Sequence, residues 1–211
     1  MKYLYFLVLA IIIAPFSSAQ TKGSVELGLQ GSLGFSNISG FDRDTGFAEL
    51  TYDPIFAYGF GGTAEYYFSE KWGIKTRVNF ERKGYGDELF SQGSRGAFFF
   101  SDIHLDYITV PITATYHFGS KLDYYVNIGA YAGFLQNATA QELDLDLTSD
   151  FSSTDFGITF SLGYRFQVAS NAKFFIELDN QSGVVDLFED DFGNNFRLNR
   201  TSLNLGVVFI L

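Results

Sequence analysis

The sequence has no cysteine, only three prolines among 211 residues, and only 18% charged residues. The absence of cysteine excludes disulfide scaffolds, thiolate zinc sites and cysteine nucleophiles. Lys and Arg number 14 against 24 Asp and Glu, which argues against a nucleic-acid partner, because phosphates require clustered Lys and Arg. No segment after residue 20 approaches the roughly 18 consecutive apolar residues of a membrane helix. The chain is instead 46% hydrophobic and 18% aromatic with 22 glycines, a composition that favours strands and turns.

The first twenty residues have the three-part pattern of a secretory signal peptide. Met1 and Lys2 provide a positive start, residues 3–16 are uncharged, and small residues follow at 17–19. A helix formed by residues 3–16 would span only about 21 Å, which is short of a hydrocarbon core of about 30 Å. We therefore predict a signal peptide at residues 1–19, cleaved between Ala19 and Gln20, and one domain at residues 20–211.

Eight segments of the remaining chain alternate apolar and polar residues with the period of two that marks a β-strand. Short connections alternate with long ones between these segments; the long ones are residues 36–55, 84–101, 136–153 and 182–198. An even number of strands with this rhythm is typical of outer-membrane barrels. The sequence thus predicts an all-β fold, an eight-stranded antiparallel up-and-down transmembrane β-barrel with short periplasmic turns and long extracellular loops.

Three features of the alternating faces separate a membrane barrel from a soluble, lipocalin-like one. The apolar faces contain no charged residue, and the opposite faces are mostly Gly, Ser, Thr and Asn instead of the Lys and Glu of a soluble exterior. Beside every short turn the apolar face becomes aromatic, which we interpret as a periplasmic aromatic girdle in the outer membrane of a Gram-negative bacterium, formed by Tyr66, Phe68, Trp72, Tyr116, Phe118, Tyr124, Tyr164, Phe166, Phe174 and Phe209. Outer-membrane lipid and the barrel-assembly machinery are then the expected partners.

The polar faces carry a balanced set of charges that would point into the barrel. A lumen of eight strands is just wide enough for side chains to fill, and buried charges must be paired. We therefore predict a packed polar lumen containing a charge network of five bases and five acids, namely Lys75, Arg77, Lys83, Arg165 and Arg200 with Glu26, Glu65, Glu81, Glu177 and Asp179. Such a lumen is not that of a wide general porin.

Most of the remaining acidic residues lie in or next to the long connections. Seventeen Asp and Glu residues, with Asp106 and Asp155 among them, face only three Arg residues there. These acidic loops suggest divalent cations or another surface ligand as a partner, although solvated surface charge explains them equally. The fragment Asp42-Arg43-Asp44-Thr45-Gly46 lacks the later Glu of a calcium loop. No specific metal site is therefore predicted.

Chemical motifs are scarce in this chain. It contains no phosphate-binding loop, zinc motif or G-x-S-x-G elbow. His104 lies at the predicted outer rim with Ser101 and Asp106 nearby, so an outer-leaflet lipid hydrolase using this cluster is one alternative. We expect no cofactor and no catalytic residue.

Two segments resemble the small outer-membrane β-barrel family of Bacteroidetes, the "porin family" or PorT-like domains. Tyr107-Ile108-Thr109-Val110-Pro111-Ile112-Thr113-Ala114-Thr115-Tyr116 is similar to the family's Y-L-E-I-P-L-L-L-K-Y, and Asn199-Arg200-Thr201-Ser202-Leu203-Asn204-Leu205-Gly206 is similar to its N-R-x-x-S-L-x-L-G close. The chain departs from the family at the terminal residue, which is Leu211 and not Phe. The resemblance implies an OmpA/OmpX-type barrel, and a PorT-like accessory of protein secretion is a further alternative to a structural or surface-binding role.

Overall fold

The computed structural model describes residues 22–42, 48–92, 97–188 and 195–211, and these ranges are almost entirely extended. The predicted signal peptide and its cleavage site at Ala19 and Gln20 lie outside them. Within them the strands are β1 (Val25–Asp42), β2 (Ala48–Thr51), β3 (Ile55–Tyr67), β4 (Trp72–Gln92), β5 (Ala97–Phe118), β6 (Tyr124–Ala140), β7 (Leu145–Asp146), β8 (Thr154–Ala169), β9 (Ala172–Gly183) and β10 (Asn195–Ile210). One 3-10 turn, Thr148–Asp150, is also present in the described part.

Eight of these strands close into an antiparallel barrel. They pair in the order β1–β3–β4–β5–β6–β8–β9–β10, and β10 pairs with β1 from Glu26↔Ile210 to Phe41↔Asn195. The short strands β2 and β7 pair with the far ends of β1 and β6. Closure leaves no unpaired edge in the barrel wall, as a lipid environment demands. The predicted eight-stranded up-and-down barrel is confirmed.

The two ends of the barrel differ as the rhythm of connections predicted. Residues 68–71, 119–123 and 170–171 connect neighbouring strands at one end, where β1 also begins and β10 ends. At the other end the strands extend further than expected. The pairing of β4 with β5 continues to Gln92↔Ala97, so most of the predicted loop 84–101 is strand. Backbone pairing needs no alternation of side chains, so the strands continue where the sequence loses its period of two.

The outward face of the barrel is apolar. Leu29, Ile128 and Phe60, for example, are 71%, 66% and 62% exposed. So large an exposed apolar surface indicates contact with lipid or another apolar partner. Among the residues that the structure describes, no helix is long and apolar enough to cross a membrane.

Candidate functional site

The predicted girdle residues lie on the outward face at the short-turn end. Seven of them form an unbroken series of ring contacts from β4 to β9, with centroid separations of 4.8 to 6.3 Å: Trp72, Tyr116, Phe118, Tyr124, Tyr164, Phe166 and Phe174. Tyr66 and Phe68 continue the outward aromatic surface on the β3 side. Phe209 pairs with Leu27 of β1 and Ala172 of β9 at the same end.

The ten predicted lumen charges all point into the barrel, and none is more than 4% exposed. Nearest the short turns, Arg165 of β8 donates from Nη1 to Glu26 Oε2 at 2.6 Å and from Nη2 to Glu65 Oε2 at 2.9 Å. His117 Nε2 lies 2.6 Å from Glu65 Oε1, and Lys173 Nζ lies 2.9 Å from Glu26 Oε1. This lower layer joins strands on opposite sides of the lumen.

The middle layer is centred on Glu177 of β9. Lys75 Nζ donates to its Oε2 at 2.6 Å, and Arg77 Nη1 donates to its Oε1 at 2.7 Å. The second nitrogen of Arg77 reaches Asp179 Oδ1 at 2.9 Å, and Asn204 donates to Glu177 Oε1 at 3.1 Å. Because β4 and β9 face each other across the barrel, these bonds span the lumen.

In the upper layer, Glu81 of β4 lies near two basic side chains, Arg200 of β10 and Lys83 of β4. Arg200 Nη1 lies 3.3 Å and Lys83 Nζ 3.8 Å from its carboxylate oxygens, and Asn79 donates to it at 3.1 Å. Lys83 Nζ also lies 3.4 Å from Asp155 Oδ2 and 4.6 Å from the centre of the Tyr131 ring. Each charge of this layer therefore faces an opposite charge.

Two lumen charges were not among the predicted ten. Lys173 belongs to the lower layer, and Asp155, which the sequence assigned to a loop, is buried beside Lys83. Both residues lie at inward positions of the alternating pattern of their strands. On β9, however, the next inward residue after Lys173 is Phe175, whose ring lies inside the barrel and interrupts the polar face. With them the described lumen holds six acids and six bases: Glu26, Glu65, Glu81, Asp155, Glu177 and Asp179 with Lys75, Arg77, Lys83, Arg165, Lys173 and Arg200.

An apolar cluster lies above the polar layers at the long-loop end. On β4 the inward position after Lys83 is Tyr85, and on β10 the inward positions beyond Arg200 are Leu198 and Phe196. We call this cluster the apolar cap; its buried members are Ile38, Tyr85, Ile103, Leu105, Tyr107, Ala138, Ala140, Phe151, Leu187, Phe196 and Leu198. The apolar cap was not predicted from the sequence, although the apolar residues at the inward positions 103 and 105 of β5 indicated it.

The residues of the hydrolase alternative do not come together. Ser101 is buried on the inward face of β5, where its hydroxyl donates to Glu142 Oε2 at 2.7 Å. His104 lies on the opposite face and lines a surface pocket of about 440 Å³. Asp106, which the sequence assigned to the acidic loops, accepts two bonds from Arg82 at 2.7 and 2.8 Å. A serine, a histidine and an acid on different faces cannot form a catalytic triad.

Exposed acids remain at the long-loop end, in the segment between β6 and β8. Glu142, Asp144, Asp146 and Asp150 are all exposed there. The Ser101 hydroxyl, which donates to Glu142, holds the pKa of that carboxyl below its ordinary value. Bonds from the hydroxyl and amide of Thr148 lower the pKa of Asp146 in the same way. In the described ranges, no group of three or more His, Asp or Glu side chains is arranged to hold a metal ion.

Comparisons with solved structures return outer-membrane proteins. OprG of Pseudomonas aeruginosa is 14% identical with a TM-score of 0.51, covering 92% of this chain and 99% of that chain. Neisserial surface protein A is 16% identical (TM-score 0.49; 87% and 96% covered), and Ail of Yersinia pestis, solved with the heparin analogue sucrose octasulfate, is 13% identical (TM-score 0.46; 90% and 100% covered). At these identities the likeness is one of fold.

The comparison with family models is more direct. The model described as "Outer membrane protein beta-barrel domain" matches residues 17–189, which is most of the chain. No curated protein matches. The predicted location in the outer membrane is thereby confirmed. The chain belongs to the outer membrane protein β-barrel domain family.

Proposed function

We propose that this barrel is closed to solutes and acts through its extracellular end, as a structural or surface-binding protein of the cell envelope. The observation that carries the proposal is the filled interior: three layers of paired charges followed by the apolar cap. The ring of aromatic residues at the turn end supports a fixed depth in the membrane, with those rings at the periplasmic interface.

The energy of buried ion pairs favours a closed lumen. Removing one partner of such a pair costs about 3–5 kcal/mol, because the other charge stays buried without compensation. A passage through the middle layer would require Arg77 and Glu177 to separate, and they sit 2.7 Å apart with almost no exposure. The apolar cap would still block the outer opening.

Reconstitution into planar bilayers tests the closed state. We expect no stable single-channel current of general-porin size, and at most small irregular events, whereas a general porin inserted under the same conditions conducts steadily. Arg165→Ala, which leaves Glu26 and Glu65 without their shared partner, should unfold earlier than the wild type without acquiring a steady current. A steady current of general-porin size from the wild type would refute the closed lumen.

The surface role rests on the exposed acids between β6 and β8. Anionic side chains on a solvated loop attract cationic ligands, and the attraction weakens as salt screens it. The proposed ligand class is therefore a cationic segment of another molecule or a divalent cation.

Binding of oligolysine to the protein in nanodiscs of uncharged lipid tests this role. We expect salt-sensitive binding that falls several-fold when Glu142, Asp144, Asp146 and Asp150 are changed together to Gln and Asn. Glu70→Gln, an exposed acid on the periplasmic turn, is the matched control and should leave binding unchanged. Equal binding by the fourfold variant and the wild type would contradict the proposal.

A further inference from the structure

A group of polar side chains interrupts the lipid-facing surface where β9, β10 and β1 adjoin. We call it the polar patch; it consists of Ser39, Asn180, Ser182, Asn199 and Thr201. Asn180 and Thr201 are exposed, whereas their neighbours on the same face are Leu178, Phe160 and Phe35, which are 55%, 53% and 60% exposed. Uncharged polar groups therefore lie directly beside large apolar residues on the same outward face.

The position of Asn180 along its strand places it deep in the membrane. It is the third outward residue after Phe174 of the girdle, which corresponds to roughly 15 Å above the girdle for a strand rise of about 3.4 Å per residue and a tilt of about 40°. The apolar band of such barrels is about 25 Å tall. On β8, the partner residue Phe160 is followed by two further outward apolar residues, Ile158 and Phe156. Asn180 thus lies near the middle of the band.

The bonds inside the polar patch leave hydrogen-bonding capacity unused. Asn180 Nδ2 donates to Thr201 Oγ1 at 3.0 Å and, more weakly, to the Arg200 carbonyl at 3.4 Å, and its Oδ1 accepts from Ser182 at 3.3 Å. A carboxamide oxygen can accept two bonds, and the Thr201 hydroxyl that accepts one bond can also donate one. In hydrocarbon, where no water completes these bonds, exposed amide groups are costly unless another protein surface meets them.

We propose that the polar patch is the contact surface of a homodimer, in which β9 and β10 of two copies meet in the membrane. All copies insert with the same orientation, so the twofold axis of a symmetric pair must run along the membrane normal. Each residue near that axis then meets residues at its own depth, and Asn180 meets Asn180 of the second copy. In each copy the Thr201 hydroxyl can donate one further bond and Asn180 Oδ1 can accept one, so this pair of side chains is complementary to the same pair in the second copy. The patch itself contains no charge, and the exposed Arg197 lies one outward position above Asn199, towards the long-loop end.

Disulfide crosslinking tests the dimer cleanly because the chain has no cysteine of its own. Asn180→Cys and Thr201→Cys, oxidised with copper–phenanthroline in intact outer membranes, should each give a species of twice the monomer mass. Val78→Cys on β4 and Ile112→Cys on β5 are matched controls, since both are lipid-facing on the opposite side of the barrel and 57% and 60% exposed. We expect their dimer yields to be at least several-fold lower. Equal yields at all four positions, or an adduct whose mass indicates a different protein, would overturn the proposal.

A second measurement separates a specific contact from chance proximity and does not require a cysteine within the patch. Leu178→Cys, one outward position below Asn180, serves as the reporter. Its dimer yield should fall several-fold when Asn180→Leu is added. The yield should not change when Thr76→Val, another polar-to-apolar change on the outward face, is added instead. An unchanged yield with Asn180→Leu would also overturn the proposal, and heat-modifiable gel mobility verifies that each variant is folded.

Discussion

Single residues in the lumen matter because each charge is almost fully buried and is held by a few specific partners. Arg165 bonds to Glu26 and Glu65 at once, and its guanidinium lies 4.7 Å from the centre of the Tyr125 ring. The outer pair of Arg82 with Asp106 has equally short bonds, but the Arg82 side chain is 29% exposed. The same ionic chemistry is therefore present in a buried and in a partly solvated setting within one molecule.

Arg165→Met should destabilise the barrel by about 3–5 kcal/mol, because two buried carboxylates lose their shared guanidinium. Arg82→Met should cost less than Arg165→Met, because the Arg82 side chain is 29% exposed and water can reach Asp106 once the guanidinium is removed. Urea unfolding from lipid vesicles measures both, with the fluorescence of Trp72, the only tryptophan, as the reporter. Similar costs for the two variants would show that burial does not determine the strength of these pairs.

At the scale of the strands, the lumen is filled by placing large aromatic rings opposite glycines. Tyr125 of β6 is paired with Gly163 of β8, Tyr131 with Gly157, and Phe175 of β9 with Gly206 of β10. In each pair, a Cβ added to the glycine would overlap the ring of the paired residue. Each of these inward glycines therefore leaves a space that the aromatic ring of its paired residue fills.

Gly163→Ala should destabilise the barrel by roughly 1–3 kcal/mol, the cost of overpacking a filled interior. Gly31→Ala is the control, because Gly31 faces outward and its added Cβ would come no closer than 3.9 Å to another atom. The cost at Gly163 should shrink when Tyr125 is also changed to Leu. Unfolding midpoints of the two single variants and the double variant measure this, and an equal cost in both backgrounds would exclude the ring as the cause.

Over the whole barrel, the described interior is polar towards the short-turn end and apolar at the long-loop end. In the polar part, six acids and six bases balance, so the lumen gains electrostatic pairing without net charge. The barrel wall continues past these charges, and the side chains that point inward there, such as Leu105, Phe196 and Leu198, form a conventional apolar core.

The sequence by itself determined the number of strands, their inward and outward faces and the asymmetry of the connections. These properties follow from a period of two, which is local and can be read along the chain. The inward orientation of residues such as Arg77 and Glu177 follows from the same period. The strand ends were not predicted, because β4 and β5 keep their backbone pairing after the sequence has lost its period of two.

Only the tertiary structure decided which charges meet. Arg165 and Glu26 are 139 residues apart in the chain, and Arg77 and Glu177 are 100 apart. Their pairing depends on barrel closure and on the register of every strand between them. It also depends on the tilt of the strands, which sets the height in the lumen at which each side chain lies. The same closure placed Asp155 inside beside Lys83 and gathered Asn180 and Thr201 into one patch. A periodic pattern specifies the face on which a side chain lies, whereas the side chain's neighbours depend on how eight strands close around a common axis.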